Sequence, residues 1–466
     1  MKMNDEIVHP YIPNSTPKTR QEMLSEVSAQ SIEDFYEDIP RELRLESALD
    51  LPQPMLSEYE LKKHVESILA RNSNCNEFSS FLGAGCYQHH IPAVCDEINQ
   101  RAEFLTAYAG EPYDDHGRFQ ALFEYTSLMG ELLNMDVVNV PTYDGFQASA
   151  TAIRMATRIT GRNQVLISSN INPAKLSKIK DYNQHEVDLK LIDFNPGSGM
   201  CSTSTLAGLI SNETAAVYFE NPAFLGMIET EGEQICSTTK TSGALSIVSV
   251  NPITLGVLKP PADYGADIVC GDIQPLGIHM QYGGGGAGFI ATRDEENFVM
   301  EFPSRLFGIA PTIIEGEYGF GDVAYERTSF AIREKGKEWV GTAAALWGIT
   351  AGVYLALMGP KGMYDIGEGI MARTRYAMQE FSRIEGLQIP FMNIPHFNEF
   401  VVNFDAAGKT VESVNKSLLN YKIFGGVDLS RDFPGMGQCA LYCISEVHSK
   451  ATIDHLVNTM KQVLYT

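Results

Sequence analysis

A chain of 466 residues with 44% hydrophobic and 20% charged side chains carries enough apolar material for a large buried core and for two or three structural units. Its formal net charge of -23 argues against nucleic acid, whose phosphates an acidic surface repels. There is no uninterrupted apolar run long enough to span a bilayer, and the first twenty residues hold no apolar run of the secretory type, so the expected compartment is the cytoplasm.

Residues 1 to about 75 read as an arm followed by short helices. Pro10, Pro13 and Pro17 keep 9–17 extended, because proline fixes φ and constrains the residue before it. A short helix is predicted from Thr19 to Val27, a capped helix start at Ser31, a turn at 39–43, and a longer helix over 58–71 opened by Ser57. Such proline-fixed apolar pieces are expected to wrap a neighbouring subunit. Phe81–Pro92 follows as a close-approach loop with paired His89 and His90, either acid–base groups or one packed and one surface histidine. After helix 93–101, the stretch 106–118 concentrates Tyr108, Tyr113, three acids, His116 and Arg118. A solvated connector would not need the two tyrosines.

Helix 118–134 presents Phe119, Leu122, Phe123, Leu128 and Leu132 at helical spacing. Strand 137–140 leads through Asp144 and Gly145 into helix 147–159, a tight turn before a helix N-terminus that offers amides to an anion. From 163 to 292 strands and helices alternate: 164–168, 175–182, 187–192, 204–209, 215–220, 227–238, 244–250 and 266–270, the signature of a largely parallel sheet. Residues 302–340 read as loop, with Arg327, Arg333, Lys335 and Lys337 forming a basic cluster able to hold a phosphate or carboxylate. An apolar helix over 342–357 is broken at Gly359-Pro360 and a second runs over 363–384. A small α+β region closes the chain with strand 400–404, helix 411–421, strand 439–445 and helix 450–464. Cys439 and Cys443 lie four apart without histidines in ligand spacing, which predicts buried thiols rather than zinc. The domain boundaries so drawn are an N-terminal arm over 1–75, a large α/β domain over 76–357 and a small domain over 358–466.

The stretch that organises the rest is 263–289. Strand 266–270 is followed by Asp272, Ile273, Gln274, Pro275 and Leu276, and then by the glycine run 283–286, which includes Gly284 and Gly285 and allows close backbone approach. No lysine occurs between Lys259 and Lys335.

The chain resembles the alpha subunit (subunit 1) of the two-subunit glycine decarboxylase, the P-protein of the glycine cleavage system. The resemblance rests on YIPNSTPKTRQEML, SIEDFYEDIPRELR, FLGAGCYQHHIPAV, TAY, FQALFEY, MDVVNVPTYDG, PITLGVLKPPADYGADIV with GDIQPLG, AALWGITAGVYLALMGPKG, NEFVVNF and the final ISE, in order along nearly the whole chain. It implies the type I pyridoxal-phosphate transferase-like fold, a large mostly parallel sheet plus a small C-terminal α+β domain. It also implies a beta-type partner, as α2β2, whose lysine holds pyridoxal phosphate covalently. The lysine slot after strand 266–270 and the aspartate that such enzymes place at Asn251 are both changed here, as expected of an alpha subunit. The implied reaction is decarboxylation of glycine, with the aminomethyl group passing to a lipoyl carrier protein. The residues expected near that chemistry are Tyr108, Tyr113, Asp115 and His116 as catalytic groups, and His89, His90 and Arg333 as substrate contacts. Asp144, Gly145, Gly284 and Gly285 are expected at the cofactor. Two segments depart from the family pattern: AGEPYDDHG stands where TPYQPEISQG is usual, and REKGKEWVGTAAAL where REKATSNICTNQAL is usual. These departures leave two alternatives open, a paralogous subunit for another small amino acid and a silent scaffold for its partner.

Overall fold

The structure, a computed structural model, describes residues 8, 11–45, 50–52, 54–105, 116–283, 286–323, 334 and 344–465. They gather into two compact units, Met1–Ser73 and Asn74–Thr466. In the first unit, Pro17 opens helix α1 (Pro17–Glu26), where its missing N–H is no loss, and Thr16 accepts from the Thr19 amide at 3.3 Å. The start at Ser31 is a 3-10 turn, Ile32–Tyr36, in which Asp34 accepts from the amides of Gln30 and Ser31 at 2.6 and 3.2 Å. Those bonds hold the Asp34 carboxyl below its ordinary range. Ser57 caps α2 (Glu58–Leu69), whose Leu61, Val65 and Ile68 share one exposed face.

The second unit opens with β1 (Ser79–Ser80), α3 (Ala93–Asn99), α4 (Ala102–Leu105) and α5 (His116–Leu133). Strands and helices then alternate through β2 (Val137–Val138), α6 (Gly145–Thr160), β3 (Gln164–Ser168), α7 (Pro173–Asn183), β4 (Asp188–Ile192), α8 (Thr203–Leu209), β5 (Thr214–Glu220), α9 (Gly232–Thr241) and β6 (Leu245–Val250). Strands β7 (Ile268–Asp272) and β8 (Gly288–Thr292) complete the run. Next come α10 (Glu296–Val299), β9 (Leu306–Pro311), β10 (Tyr318–Val323) and the long α11 (Ala345–Ser382). The chain ends with β11 (Glu399–Asn403), α12 (Val411–Leu419), β12 (Ile423–Phe424), β13 (Val427–Asp428), β14 (Cys439–Cys443) and α13 (Lys450–Tyr465).

The main sheet has the spatial order β2-β8-β7-β6-β5-β3-β4. Every neighbouring pair from β7 to β4 is parallel, and β8 and β2 each run antiparallel to their neighbour. All seven residues of β5 are buried, because a parallel sheet is covered on both faces. On one face Val217, Phe219, Val248 and Val269 pack with Met129 of α5 and with Ala351 and Tyr354 of α11. On the other, Ala216, Tyr218 and Ile247 pack with Ala152, Ile153 and Ala156 of α6. A separate core joins α11, α12 and α13 to the three-stranded sheet β11-β14-β13, with Phe381, Phe400 and Tyr442 at its centre. Cys439 and Cys443 are buried on β14 with free thiols. No helix among the described residues is long and apolar enough to cross a membrane.

Four local expectations change. Residues 302–340 hold a hairpin as well as loop: β9 and β10 pair antiparallel, with Gly308 opposite Gly321 and Ile309 opposite Phe320. Their glycines imitate loop composition, but cross-strand pairing satisfies the backbone. The helix expected at 227–238 begins at Gly232, because Met227 is buried and bridges His396 instead. Strand β7 extends to Asp272 rather than ending at Cys270, since Asp272 pairs with Gly288 of β8. The break at Gly359-Pro360 is a kink inside α11, where Gly359 takes φ 58° and ψ -178°.

Candidate functional site

A cavity of about 330 Å³ opens at the carboxyl ends of β5, β6 and β7. In open α/β sheets this is where ligands bind, beside the point at which strand order reverses. Here β3 lies between β4 and β5, so the chain departs from it in both directions. The walls come from the 84–87 loop, the turn into α6, the start of α7, the ends of β5 and β6, the 272–275 segment, and Asn398-Glu399 entering β11.

Lys175 is the one lysine among the described lining residues. Asn172 caps α7 by accepting from the amides of Ala174 and Lys175 at 2.9 and 3.4 Å, which places Lys175 in the first turn, pointing at the sheet edge. Its Nζ lies 2.6 Å from Glu220 Oε1 and 3.3 Å from Ser249 Oγ. Tyr218 Oη donates to the same Glu220 oxygen at 3.1 Å. Burial works against the charge on Lys175, but the Glu220 carboxylate outweighs it and holds the ammonium above its ordinary pKa. A lysine so protonated is an ion-pair partner and not a nucleophile.

Glu399 sits on the opposite wall. Its Oε1 accepts from the Ala84 amide at 2.6 Å and its Oε2 from Tyr87 Oη at 3.0 Å. Burial pushes its carboxyl up to about 7 against those two hydrogen bonds. Tyr87 is fixed further by reciprocal bonds with Gln274: its amide donates to Oε1 at 3.1 Å and its carbonyl accepts from Nε2 at 3.0 Å. Asn172 Nδ2 donates to the Ala84 carbonyl at 2.8 Å, so the 84–87 loop is tied to the sheet domain and to β11 alike.

Two carboxylates meet at the turn into α6, Asp144 from the turn itself and Asp272 from the end of β7. Asp144 Oδ1 caps the helix through the Gln147 amide at 2.7 Å. Asp272 Oδ2 accepts from the Gly145 amide at 2.8 Å, and its Oδ1 accepts from Gln274 and Ala287 at 2.8 and 3.2 Å. Burial pushes Asp272 up to about 6, opposed by those amides and assisted by Asp144. Asn251 also lines the cavity. Its Oδ1 accepts from the Ile253 amide at 3.1 Å, while its buried Nδ2 has no hydrogen-bond partner among the described residues.

Of the residues singled out in the sequence, Asp144, Gly145, Asn251, Asp272, Gln274 and Pro275 line this cavity. His89 and His90 are not among its lining residues. His89 Nδ1 instead pairs with Glu446 Oε2 at 2.8 Å, and the His90 amide donates to Glu446 Oε1 at 2.6 Å. Burial pushes Glu446 up, but His89, the His90 amide and the amide of Glu446 itself outweigh it and leave the carboxyl below its ordinary range. Tyr108, Tyr113, Asp115, Arg333, Gly284 and Gly285 lie outside the described residues, as does the side chain of His116, the first residue of α5. Lys175, Glu220, Tyr87 and Glu399 went unnoticed as cavity residues in the sequence. Glu220 alone left a local signal there, a carboxylate closing the otherwise apolar TAAVYFE strand.

Comparison with known proteins agrees along the full length. The pattern that defines the family described as Glycine cleavage system P-protein matches residues 9–460. A Staphylothermus marinus protein named probable glycine dehydrogenase (decarboxylating) subunit 1 is 36% identical over 465 residues, covering 98% of both chains. The crystal structure of a glycine decarboxylase (P-protein) of the glycine cleavage system, in inhibitor-bound form, superposes with a TM-score of 0.85 at 32% identity, covering 98% of this chain and 100% of that one. The fold is shared more widely: Lactobacillus brevis glutamate decarboxylase matches at 11% identity with a TM-score of 0.68, over 91% of this chain and 96% of that one. The architecture is therefore that of the type I pyridoxal-phosphate enzymes, and the chain belongs to the glycine cleavage system P-protein family.

Proposed function

We propose that this chain is the subunit of a two-subunit glycine-decarboxylating enzyme that does not carry the cofactor lysine. A beta-type partner, as α2β2, holds pyridoxal phosphate covalently, and this chain supplies one wall of the shared site. There glycine loses carbon dioxide and its aminomethyl group passes to a lipoyl carrier protein, in the cytoplasm. In this reading Tyr108, Tyr113, Asp115 and His116 are the catalytic groups that this chain contributes, and His89, His90 and Arg333 are its substrate contacts. Pyridoxal phosphate supplies the electron sink for decarboxylation when bound to the partner.

The observation that carries this reading is the chemistry of the described cavity. Pro275 stands in the lysine slot after β7, and the single lining lysine, Lys175, is neutralised by Glu220. The residues present do not fit a covalently held pyridoxal phosphate, and this chain's own cavity is assigned no step. Full-length similarity to proteins named subunit 1 supports a second subunit. The experiment is co-expression with the beta-type partner, followed by glycine–carbon dioxide exchange, borohydride reduction and peptide mass spectrometry. Exchange that needs both chains, with the reduced adduct on the partner, is expected. Exchange by this chain alone, or an adduct on Lys175, overturns the reading. The altered segments 109–117 and 333–346 favour one second reading, the same assembly acting on another small amino acid. A substrate screen in which only glycine turns over removes it.

A further inference from the structure

The N-terminus of α6 is where this fold presents backbone amides to an anion, and in this chain those amides already have one. Helix α6 has 16 residues, so its aligned peptide dipoles place partial positive charge at Gly145, Phe146 and Gln147. The Gly145 amide donates to Asp272 Oδ2 at 2.8 Å and the Gln147 amide to Asp144 Oδ1 at 2.7 Å. The Asp272 carboxylate collects two more amides, from Gln274 at 2.8 Å and Ala287 at 3.2 Å. Three amides from three separate segments thus converge on one side chain, the donor arrangement that binds a phosphate elsewhere.

The carboxylate is also wedged in place. A Cβ on Gly145 would come within 2.8 Å of Asp272 Cβ, and one on Gly286 within 3.1 Å of Asp272 Oδ2 and 2.9 Å of Asp144 Cβ. Glycine at both positions lets the backbone close around Asp272, so the carboxylate sits between the cavity and the Gly145 amide. Charge adds to shape. The described cavity wall holds Asp144, Glu220, Asp272 and Glu399 against a single ammonium, Lys175, so an incoming phosphate meets like charge at close range.

We propose that Asp272 is a built-in anion that fills the phosphate seat of this chain, and that it determines the cavity's specificity by excluding any ligand that docks through a phosphate group. The inference concerns this chain's own residues and stands whether or not the partner and substrate proposed above are correct.

The test uses the full chain, with inorganic phosphate, pyridoxal phosphate and pyridoxal as probes at constant ionic strength. The readouts are melting temperature and hydrogen exchange of the 145–148 amides. In the unaltered protein, neither phosphate compound is expected to raise the melting temperature or protect those amides beyond what chloride or pyridoxal does. Asp272→Ala frees three converging amides, so phosphate and pyridoxal phosphate should restore its lowered melting temperature and protect 145–148, binding at least about tenfold tighter than any residual binding to the unaltered chain once the like charge is gone. Asp272→Asn keeps the shape and an acceptor oxygen, folds, and should bind phosphate with an affinity between the two. Phosphate-dependent protection of 145–148 in the unaltered chain overturns the proposal. So does a folded Asp272→Asn or Asp272→Ala protein that binds phosphate no better than the unaltered chain.

Discussion

Lys175 Nζ and Glu220 Oε1 stand 2.6 Å apart, with side chains only 14% and 8% exposed. A buried pair of this kind contributes little net stability relative to an apolar pair of the same volume, yet losing one member strands the other charge. Glu220→Gln and Lys175→Met are each expected to cost about 3–5 kcal/mol, and Lys175→Met combined with Glu220→Leu to recover much of that loss. Urea denaturation of the three variants measures it. Additive losses would show that the two side chains are not coupled.

The pH dependence of stability should carry the imprint of Glu399. Its carboxyl is pushed up from the ordinary 4.5 to about 7, so the folded protein holds that proton more tightly than the unfolded chain. Below about pH 4.5 both states are protonated and the residue costs nothing. As pH rises towards 7 the unfolded chain ionises first and stability falls, and above 7 the penalty is complete, roughly 3 kcal/mol. Glu399→Gln cannot ionise, so its stability relative to the unaltered protein should climb across that window and then level off. Taking the difference cancels Asp272, which titrates near 6 in both proteins. A difference that stays flat from pH 4.5 to 8 would contradict the burial argument.

Gly359 holds the kink of α11 at φ 58° and ψ -178°, and nothing lies within 4 Å of a Cβ placed there. Gly359→Ala therefore meets no clash, and its cost is backbone strain alone, about 1–3 kcal/mol. Thermal denaturation gives the value. An unchanged melting temperature would mean that the kink relaxes without penalty.

Phe381 is fully buried, with ring centroids 5.7 Å from Phe400 and 5.3 Å from Tyr442. Phe381→Ala should cost about 3–5 kcal/mol through lost transfer energy and the cavity left behind. Phe381→Leu should retain most of the stability, which separates packing from any specific aromatic geometry.

Much of the fold was legible in the sequence for local reasons. The bounds of β3 and the cap at Ser57 follow from apolar runs and short polar side chains, whose effects act within a few residues. The β9–β10 hairpin was hidden because its strands contain Gly308, Gly319 and Gly321, and pairing between strands rather than propensity decides such a segment. The cavity was legible at the turn carrying Asp144 and Gly145 and unread at its far wall.

Residues read along the chain were enough for the family and for the alternation of strands and helices through the parallel sheet, because both rest on local pattern. Which charges meet depends on the packing of distant segments. Glu399 reaches Tyr87 across 312 positions, and Glu446 reaches His89 across 357. Asp272 closes on Gly145 across 127. No periodicity connects residues so far apart. Their distances are set by how the sheet, α11 and the C-terminal strands pack, and that packing turns an expected anion seat into one already filled by the chain's own carboxylate.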